Sequence, residues 1–330
     1  MKKTALTGIK PTGSPHIGNY LGAICPALEL TKNHDALYFI ADYHALTTVT
    51  DKKLLKEQIY GLAATWLASG LDPEKVTFYR QSDMPEVFEL SWILSCCASK
   101  GLLNRAHAYK ASVDNNEATG NDPDYGINCG LFYYPILMAA DILMFSSHVV
   151  PVGQDQKQHL EITRDIAQAF NQTYGNILTV PEPLIQENVK TVPGIDGRKM
   201  SKSYDNVIPL YSTEKKLKKR INQIVTDSKE VEDVKDPDNC NLFEIYTYFA
   251  SPEDIEKTRG RYLAGGLPYG ELKKELFELI NNFVSEGREK YNHLMEDKKQ
   301  IDNILAEGAQ KARSISIPLM AEIRKAIGVQ

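Results

Sequence analysis

Apolar residues in the first half of the chain follow two alternating patterns. Short dense runs at Thr4–Ile9, Ala36–Ala41, Lys75–Tyr79 and Val149–Gly153 read as strands, and the continuous Ala36–Ala41 run suits a parallel strand buried on both faces. Between them the spacing is helical. Ile17, Tyr20, Leu21 and Ile24 share one face, with Pro26 expected to kink or interrupt the helix. Asp51 caps a helix with Leu54, Leu55, Ile59, Leu62, Trp66 and Leu67 on one side, and Glu86–Cys97 and Asp155–Phe170 predict two more. From about Leu242 to Val329 the pattern is helical without strands. Alternation up to about Val192 therefore predicts an α/β fold, a Rossmann-like doubly wound parallel sheet, with a C-terminal all-helical domain. The expected boundaries are an α/β domain at 1–195, a loop at 196–204 and a helical domain at 205–330. The last helices either pack back on the sheet or stand clear of it. The polar stretch Gly101–Gly130 reads as a long, irregular, mobile insertion.

Composition narrows the class. The 330 residues are 42% hydrophobic and 25% charged, as in ordinary globular proteins, and can bury a large core with a smaller second domain. The net charge of -5 supplies no global basic field, so any RNA contact rests on local patches. Lys215, Lys216, Lys218, Lys219 and Arg220 form one such patch on a helix, equally readable as a solvated face. The five cysteines make no CxxC pair and no zinc spacing, which suits reduced thiols in the cytoplasm and no resident metal. No apolar run approaches the roughly 20 residues that span a bilayer, and no leader-like apolar segment follows Met1.

Two distant segments concentrate the chemistry. In Gly8–Asn19 an apolar run ends in a Gly/Pro turn and His16 stands where a helix should begin, so backbone N–H groups collect at the top of a parallel sheet, a ready phosphate site. In Lys199–Ser203 two lysines three apart follow Gly194 and Gly197, which suits a mobile loop that grips and releases a polyphosphate. A third signal is Asp141 inside the apolar run Leu131–Phe145. Burying a lone carboxylate is costly, so it must be capped, paired or devoted to a ligand, and Tyr134 and Met138 share its helical face. Polar residues also end two strands: Asp42-Tyr43-His44 after the second, and Gln154-Asp155-Gln156 after Gly153.

His16-Ile17-Gly18-Asn19 and Lys199-Met200-Ser201-Lys202-Ser203 resemble, in this order, the HIGH and KMSKS signatures of the class I aminoacyl-tRNA synthetases. The second matches fully; in the first, Asn19 replaces the final histidine, a variant similar to the subgroup that activates tryptophan and tyrosine. The likeness runs the whole length and is closest to bacterial-type tryptophanyl-tRNA synthetases. It is carried by Gly8–Ala23, Ala41–Thr47, Leu137–Leu143, Val150–Asn171 and Lys199–Ser203. The tyrosine branch shares fold and signatures. Met138, at a position that resembles a glutamine in that branch, favours tryptophan, while Asp141 suits either.

The resemblance implies ATP, brought as its Mg2+ complex and without a tightly bound metal, along Lys10, Pro11, Thr12, Gly18 and Asn19, with His16 on phosphate. It places Gly153, Gln154 and Asp155 by ribose and adenine, Val192 at the adenine edge, and Lys199, Met200, Ser201, Lys202 and Ser203 around the pyrophosphate. Tyr134 and Gln156 would take the α-amino group of L-tryptophan and Asp141 its indole nitrogen, with Met138 and His44 in the same pocket. Relatives often carry glutamine where Lys10 stands, which leaves that residue's role open. The implied activity is that of a cytoplasmic homodimer. It joins tryptophan to tRNA(Trp) through an adenylate, and its helical domain binds the anticodon. A short nucleotidyltransferase or an inactive RNA-binding paralogue fits less well, given the long helical tail and the intact lysines.

Overall fold

The structure is a computed structural model and describes residues 2–147, 149–152, 157–185 and 191–329. Its centre is a sheet of five parallel strands: β1 (Thr4–Ile9), β2 (Asp35–Ile40), β3 (Thr77–Arg80), β4 (Val149–Val152) and β5 (Glu182–Ile185). They lie in the order β3-β2-β1-β4-β5. The chain steps outward from β1 to β3, then returns to the other side of β1. That reversal opens a crevice beyond the carboxyl ends of β1 and β4, the usual ligand position in such sheets. Thr4–Ile9 pairs along its whole length with β2, and Ala5 stands opposite Val149 of β4.

Four strands stand where the apolar runs predict them, within two residues. The fifth, Glu182–Ile185, carries an acid and a proline and lacks the dense apolar signature. It lies at the sheet edge, where a missing N–H is tolerated. The predicted interruption at Pro26 is a change of helix type. Ile17–Asn19 is α-helical, Tyr20–Ile24 forms a π-helical turn, and Cys25–Leu30 is α-helical again. Proline cannot donate to the preceding turn, and the wider π turn absorbs that defect.

The expectation of an irregular insertion at Gly101–Gly130 is corrected. This stretch contains helices at Lys100–Asn104 and His107–Ala118, and Cys129 opens the next, Cys129–Leu143. Its polarity hides the helix, which is held locally: the side-chain amide Nδ2 of Asn116 donates to the carbonyls of Pro123 (2.9 Å) and Tyr125 (2.8 Å) and folds the following turn back. Tyr109 also meets Phe132 edge to face.

Three cores organise the rest. One face of the sheet packs Leu6, Leu37 and Phe39 on Ile136, Leu143, Ile166 and Phe170, joined by Ala312, Met320 and Ile323 of the terminal helix. The other face packs Tyr38, Ile40 and Phe78 on Trp66, with Ile301 and Leu305. The terminal helix Lys298–Ile327 thus packs back along β3 and closes that edge. Gly308 makes this possible, since a Cβ there would lie 1.8 Å from the Phe78 carbonyl oxygen. Ion pairs pin the helix along its length: Arg80 to Asp302 (2.9 Å), Arg313 to Glu86 (2.7 Å) and Arg324 to Glu89 (2.7 Å).

The third core belongs to the helices Glu214–Asn222, Asn241–Thr247 and Tyr269–Glu296. It contains Leu217, Phe243, Leu276 and Ile280, but also Ile17, Val192, Met200 and Ile208. One hydrophobic unit therefore joins the first helix after β1, the lysine loop and the helical region. Among the described residues no helix is long and apolar enough to cross a membrane.

Candidate active site

The turn after β1 converges on His16. Gly13 adopts φ +67, a conformation that favours glycine, and His16 in extended conformation caps the helix that follows. The cap is reciprocal: His16 Nδ1 accepts from the Asn19 N–H (3.3 Å) and Asn19 Oδ1 accepts from the His16 N–H (3.2 Å). An accepting Nδ1 leaves the ring proton on Nε2. Burial, reinforced by the nearby Lys202 ammonium, pulls the His16 pKa down to about 4, so the ring is neutral at physiological pH. Asn19, in place of a second histidine, thus has a structural use. The site presents a neutral N–H donor at a helix start whose own N–H groups are already paired, that of Asn19 with His16 and that of Ile17 with the Ile208 carbonyl.

The lysine loop closes onto this turn. Gly18 donates its N–H to Met200 Sδ (3.4 Å), and the Lys202 ammonium donates to the Thr12 carbonyl, with its side chain passing over Gly13. Downstream, Ile17 donates to the Ile208 carbonyl (3.0 Å) and Leu210 to that of Pro15 (3.3 Å), forming a bridge between His16 and Pro209. Val192 is buried beside Met200 and accepts its N–H (2.9 Å). Burial lowers the Lys202 pKa, although part of the residue stays open to solvent. Lys199 is exposed, while Ser201 Oγ accepts from the Ser203 N–H (3.3 Å) and shapes the turn between the lysines.

Lys10 Nζ reaches across to Thr47 Oγ1 (2.9 Å), and its pKa is lowered by burial. Pro11 and Gly13 are held by Gln58, whose amide, in the orientation that satisfies both groups, donates to the Pro11 carbonyl (2.8 Å) and accepts from the Gly13 N–H (3.0 Å). Lys10, Lys202 and the neutral donor of His16 therefore line one turn. Cations and N–H donors so placed suit a polyphosphate.

The second half of the site is built around Asp141, which is 2% exposed. Its Oδ2 meets His44 Nε2 at 3.0 Å, and Gln81 Nε2 donates to both carboxylate oxygens (2.9 and 2.8 Å). The carboxyl pKa is raised by burial, and the His44 and Gln81 contacts oppose that rise. Gln81 Oε1 accepts in turn from the N–H groups of Tyr43 (3.2 Å) and His44 (3.4 Å), so the end of β3 orients the segment after β2. Asp42 fastens the same two strand ends, accepting from Ser82 N–H (3.0 Å) and Oγ (2.5 Å). The acid that stands out in an apolar helix is thus paired, as its burial demands.

Tyr134 lies about two helical turns before Asp141 and shares a short hydrogen bond with His159 Nε2; its hydroxyl pKa is pushed up to about 12 by burial. Met138 is half-buried between them on the same helix. That helix starts with Asn128, which caps Leu131 (2.9 Å) and donates to the Thr47 carbonyl (3.3 Å). Thr47 in turn contacts Lys10, so the turn after β1 and the helix that carries Asp141 share one scaffold.

A family profile described as tRNA synthetases class I (W and Y) matches residues 2–285. The chain belongs to this family. A tryptophan–tRNA ligase of Pseudomonas aeruginosa is 52% identical over 335 aligned residues, spanning 100% of this chain and 75% of the relative. One from Neisseria meningitidis is 51% identical and covered to 98%. Among solved structures, tryptophanyl-tRNA synthetase from Campylobacter jejuni, complexed with ADP and tryptophan, superposes with a TM-score of 0.92 at 47% identity, covering 98% of this chain and 99% of that one.

Within this family frame the residues expected from sequence divide into three groups. His16 meets Asn19, Gly18 meets Met200 and Lys202 reaches Thr12 beside them, while His44 contacts both Asp141 and Tyr134, with Met138 on the same helix as those two. Gly153, Gln154, Asp155 and Gln156 lie outside the described residues. Gln81, Gln58, Thr47 and His159 are additions the sequence reading lacks. Gln81 had a usable signal, a polar residue just past a strand end like Asp42. An uncharged amide on the Asp51-capped helix, as Gln58 is, gives none.

Proposed function

We propose that this chain is a tryptophan–tRNA ligase. It activates L-tryptophan with ATP, releases pyrophosphate, and transfers the amino acid to the 3' end of tRNA(Trp). The observation that carries the reading is the docking of Met200 and Lys202 on the turn that begins at Lys10, capped by a neutral His16, beside a buried Asp141.

The amino acid's carboxylate is already a nucleophile at neutral pH and attacks the α-phosphorus; the bond to the β-phosphate oxygen breaks and pyrophosphate leaves with its magnesium. Positioning and charge neutralisation supply such catalysis. His16 Nε2–H, Gly18 and Asn19 act on phosphate oxygens. Lys199 and Lys202 neutralise charge developing on the leaving group, with Ser201 and Ser203 shaping their loop. Lys10 adds a cation beside Pro11 and Thr12, which compensates for the missing glutamine amide. Val192, Gly153, Gln154 and Asp155 take adenine and ribose; Tyr134 and Gln156 take the ammonium. Asp141 has one lone-pair direction left after His44 and Gln81 are served and accepts the indole N–H. Met138 and His44 bound the ring.

Residues 205–330 serve as the anticodon-binding region, with the terminal helix joined to the 1–195 domain, and the active form is a homodimer in the cytoplasm. The five free cysteines support that compartment.

Amino-acid-dependent ATP–pyrophosphate exchange tests the reading. Exchange with tryptophan and not with tyrosine is the expected result. Tyrosine-only exchange overturns the specificity, and silence of the folded protein with every amino acid overturns the enzymatic reading.

A further inference from the structure

One amide, deep under the lysine loop, is committed wholly to the loop itself. Asn206 is 1% exposed. Its Oδ1 accepts the Ser201 N–H (2.7 Å), while Nδ2 donates to Asp196 Oδ1 (2.7 Å) and to the Lys199 carbonyl (3.1 Å). Its backbone carbonyl accepts from Ile195 (2.9 Å). A single side chain thereby ties the approach to the loop, the first lysine and the serine between the lysines. Asparagine offers one acceptor oxygen and two N–H donors, and each has a partner here.

The surroundings are cut to this side chain. A Cβ on Gly194 would lie 2.3 Å from Asn206 Nδ2, so the approach leaves room for the amide alone. Asp196 is oriented by Arg198, whose N–H (3.1 Å) and Nε (2.8 Å) donate to its carboxylate, and the Arg198 guanidinium lies 4.4 Å over the Tyr204 ring. Behind, Asp205 stands at φ 47 and its carbonyl accepts from Arg220 (2.6 Å), which also donates to Val207 (2.9 Å). The peptide groups that Asn206 fixes flank Met200. They set Met200 against Gly18 and start the turn in which Ser201 caps Lys202–Tyr204.

We propose that Asn206 is a positioning residue for activation: it holds Lys199 and Lys202 in the geometry that meets the leaving pyrophosphate. This inference rests on the reading of the loop lysines given above. Asn206 touches no reacting atom in this account and acts only through the loop.

The test compares Asn206→Ala, Asn206→Asp, Lys202→Ala and the double variant N206A/K202A. The readouts are pyrophosphate exchange, tryptophan affinity and thermal unfolding. Aspartate keeps the size and the acceptor toward Ser201 but loses both donors, so it serves if alanine collapses the loop. The expected result is a kcat loss of roughly 10- to 100-fold in both Asn206 variants, the scale of a misplaced catalytic group. Tryptophan affinity should stay within about twofold, and in the K202A background the Asn206 change should cost far less, as for residues that act as a unit. Full exchange activity in folded Asn206 variants, or additive losses in the double variant, overturns the inference while sparing the lysine reading. An unimpaired Lys202→Ala overturns both.

Discussion

At the scale of single residues the site depends on a few buried polar groups, each with its partners counted. Asp141, proposed above as the acceptor of the indole N–H, is the case that bears on specificity. Replacing it with asparagine turns an amide N–H toward the Gln81 amide and removes the acceptor proposed for the indole N–H. A buried donor facing a donor costs about 1–3 kcal/mol. Asp141→Asn should therefore lower kcat/KM for tryptophan by roughly 10- to 100-fold, with KM for ATP nearly unchanged. Exchange assays with each substrate varied in turn check this. An equal rise in both KM values would place Asp141 outside the amino-acid pocket. Sequence makes Asp141 conspicuous because a carboxylate in an apolar helix needs a partner. It leaves Asn206 silent and gives only the position of Gln81 past a strand end, because neutral amides break no apolar pattern and their partners lie 60 (Gln81) and up to 10 (Asn206) residues away.

At the scale of elements, legibility follows burial. The central strands are readable because both faces of a parallel sheet are covered and their sequences are continuously apolar. The edge strand Glu182–Ile185 and the helix His107–Ala118 escape, since an edge tolerates proline and a polar helix lacks periodicity. The terminal helix Lys298–Ile327 is legible as a helix, but its place on β3 is not. That place depends on Gly308, which lets two backbones touch, and on ion pairs to residues over 200 positions away. Gly308→Val should accordingly cost about 3 kcal/mol or more, at the upper end of overpacking, because the obstacle is the Phe78 backbone. Urea unfolding measures it. A loss under about 0.5 kcal/mol, the scale of an ordinary surface change, would mean that the helix does not seat on the strand.

At the scale of the whole molecule, one hydrophobic core joins the helix after β1, the lysine loop and the helical region, so the position of the loop and the packing of the helical region rest on the same buried contacts. Buried His16 makes this unit pH-sensitive. The unfolded chain protonates this ring near pH 6.5 and the folded chain only near pH 4. Its contribution is full above pH 6.5, declines as pH falls toward 4 and is flat below, about 3 kcal/mol at most. Asp42 and Asp141, whose carboxyl pKa values burial raises, contribute the opposite slope, losing stability as pH rises from the ordinary carboxylate range toward their raised folded values. The difference between the parent and His16→Gln isolates the histidine. Its stability gap should narrow from pH 7 to pH 4 in chemical denaturation, and a pH-independent gap would contradict a neutral, buried ring.

Two segments almost two hundred residues apart are proposed to form one phosphate site whose lysines act on the leaving pyrophosphate. The most direct measurement is the rate of tryptophanyl-adenylate formation in a single turnover, with tryptophan affinity measured in parallel, for the parent and Lys202→Ala. The expected result for the variant is a rate at least about 100-fold lower with tryptophan affinity within about twofold, the pattern of an interaction made in the transition state. An unchanged rate, or a large loss of tryptophan affinity, would contradict it.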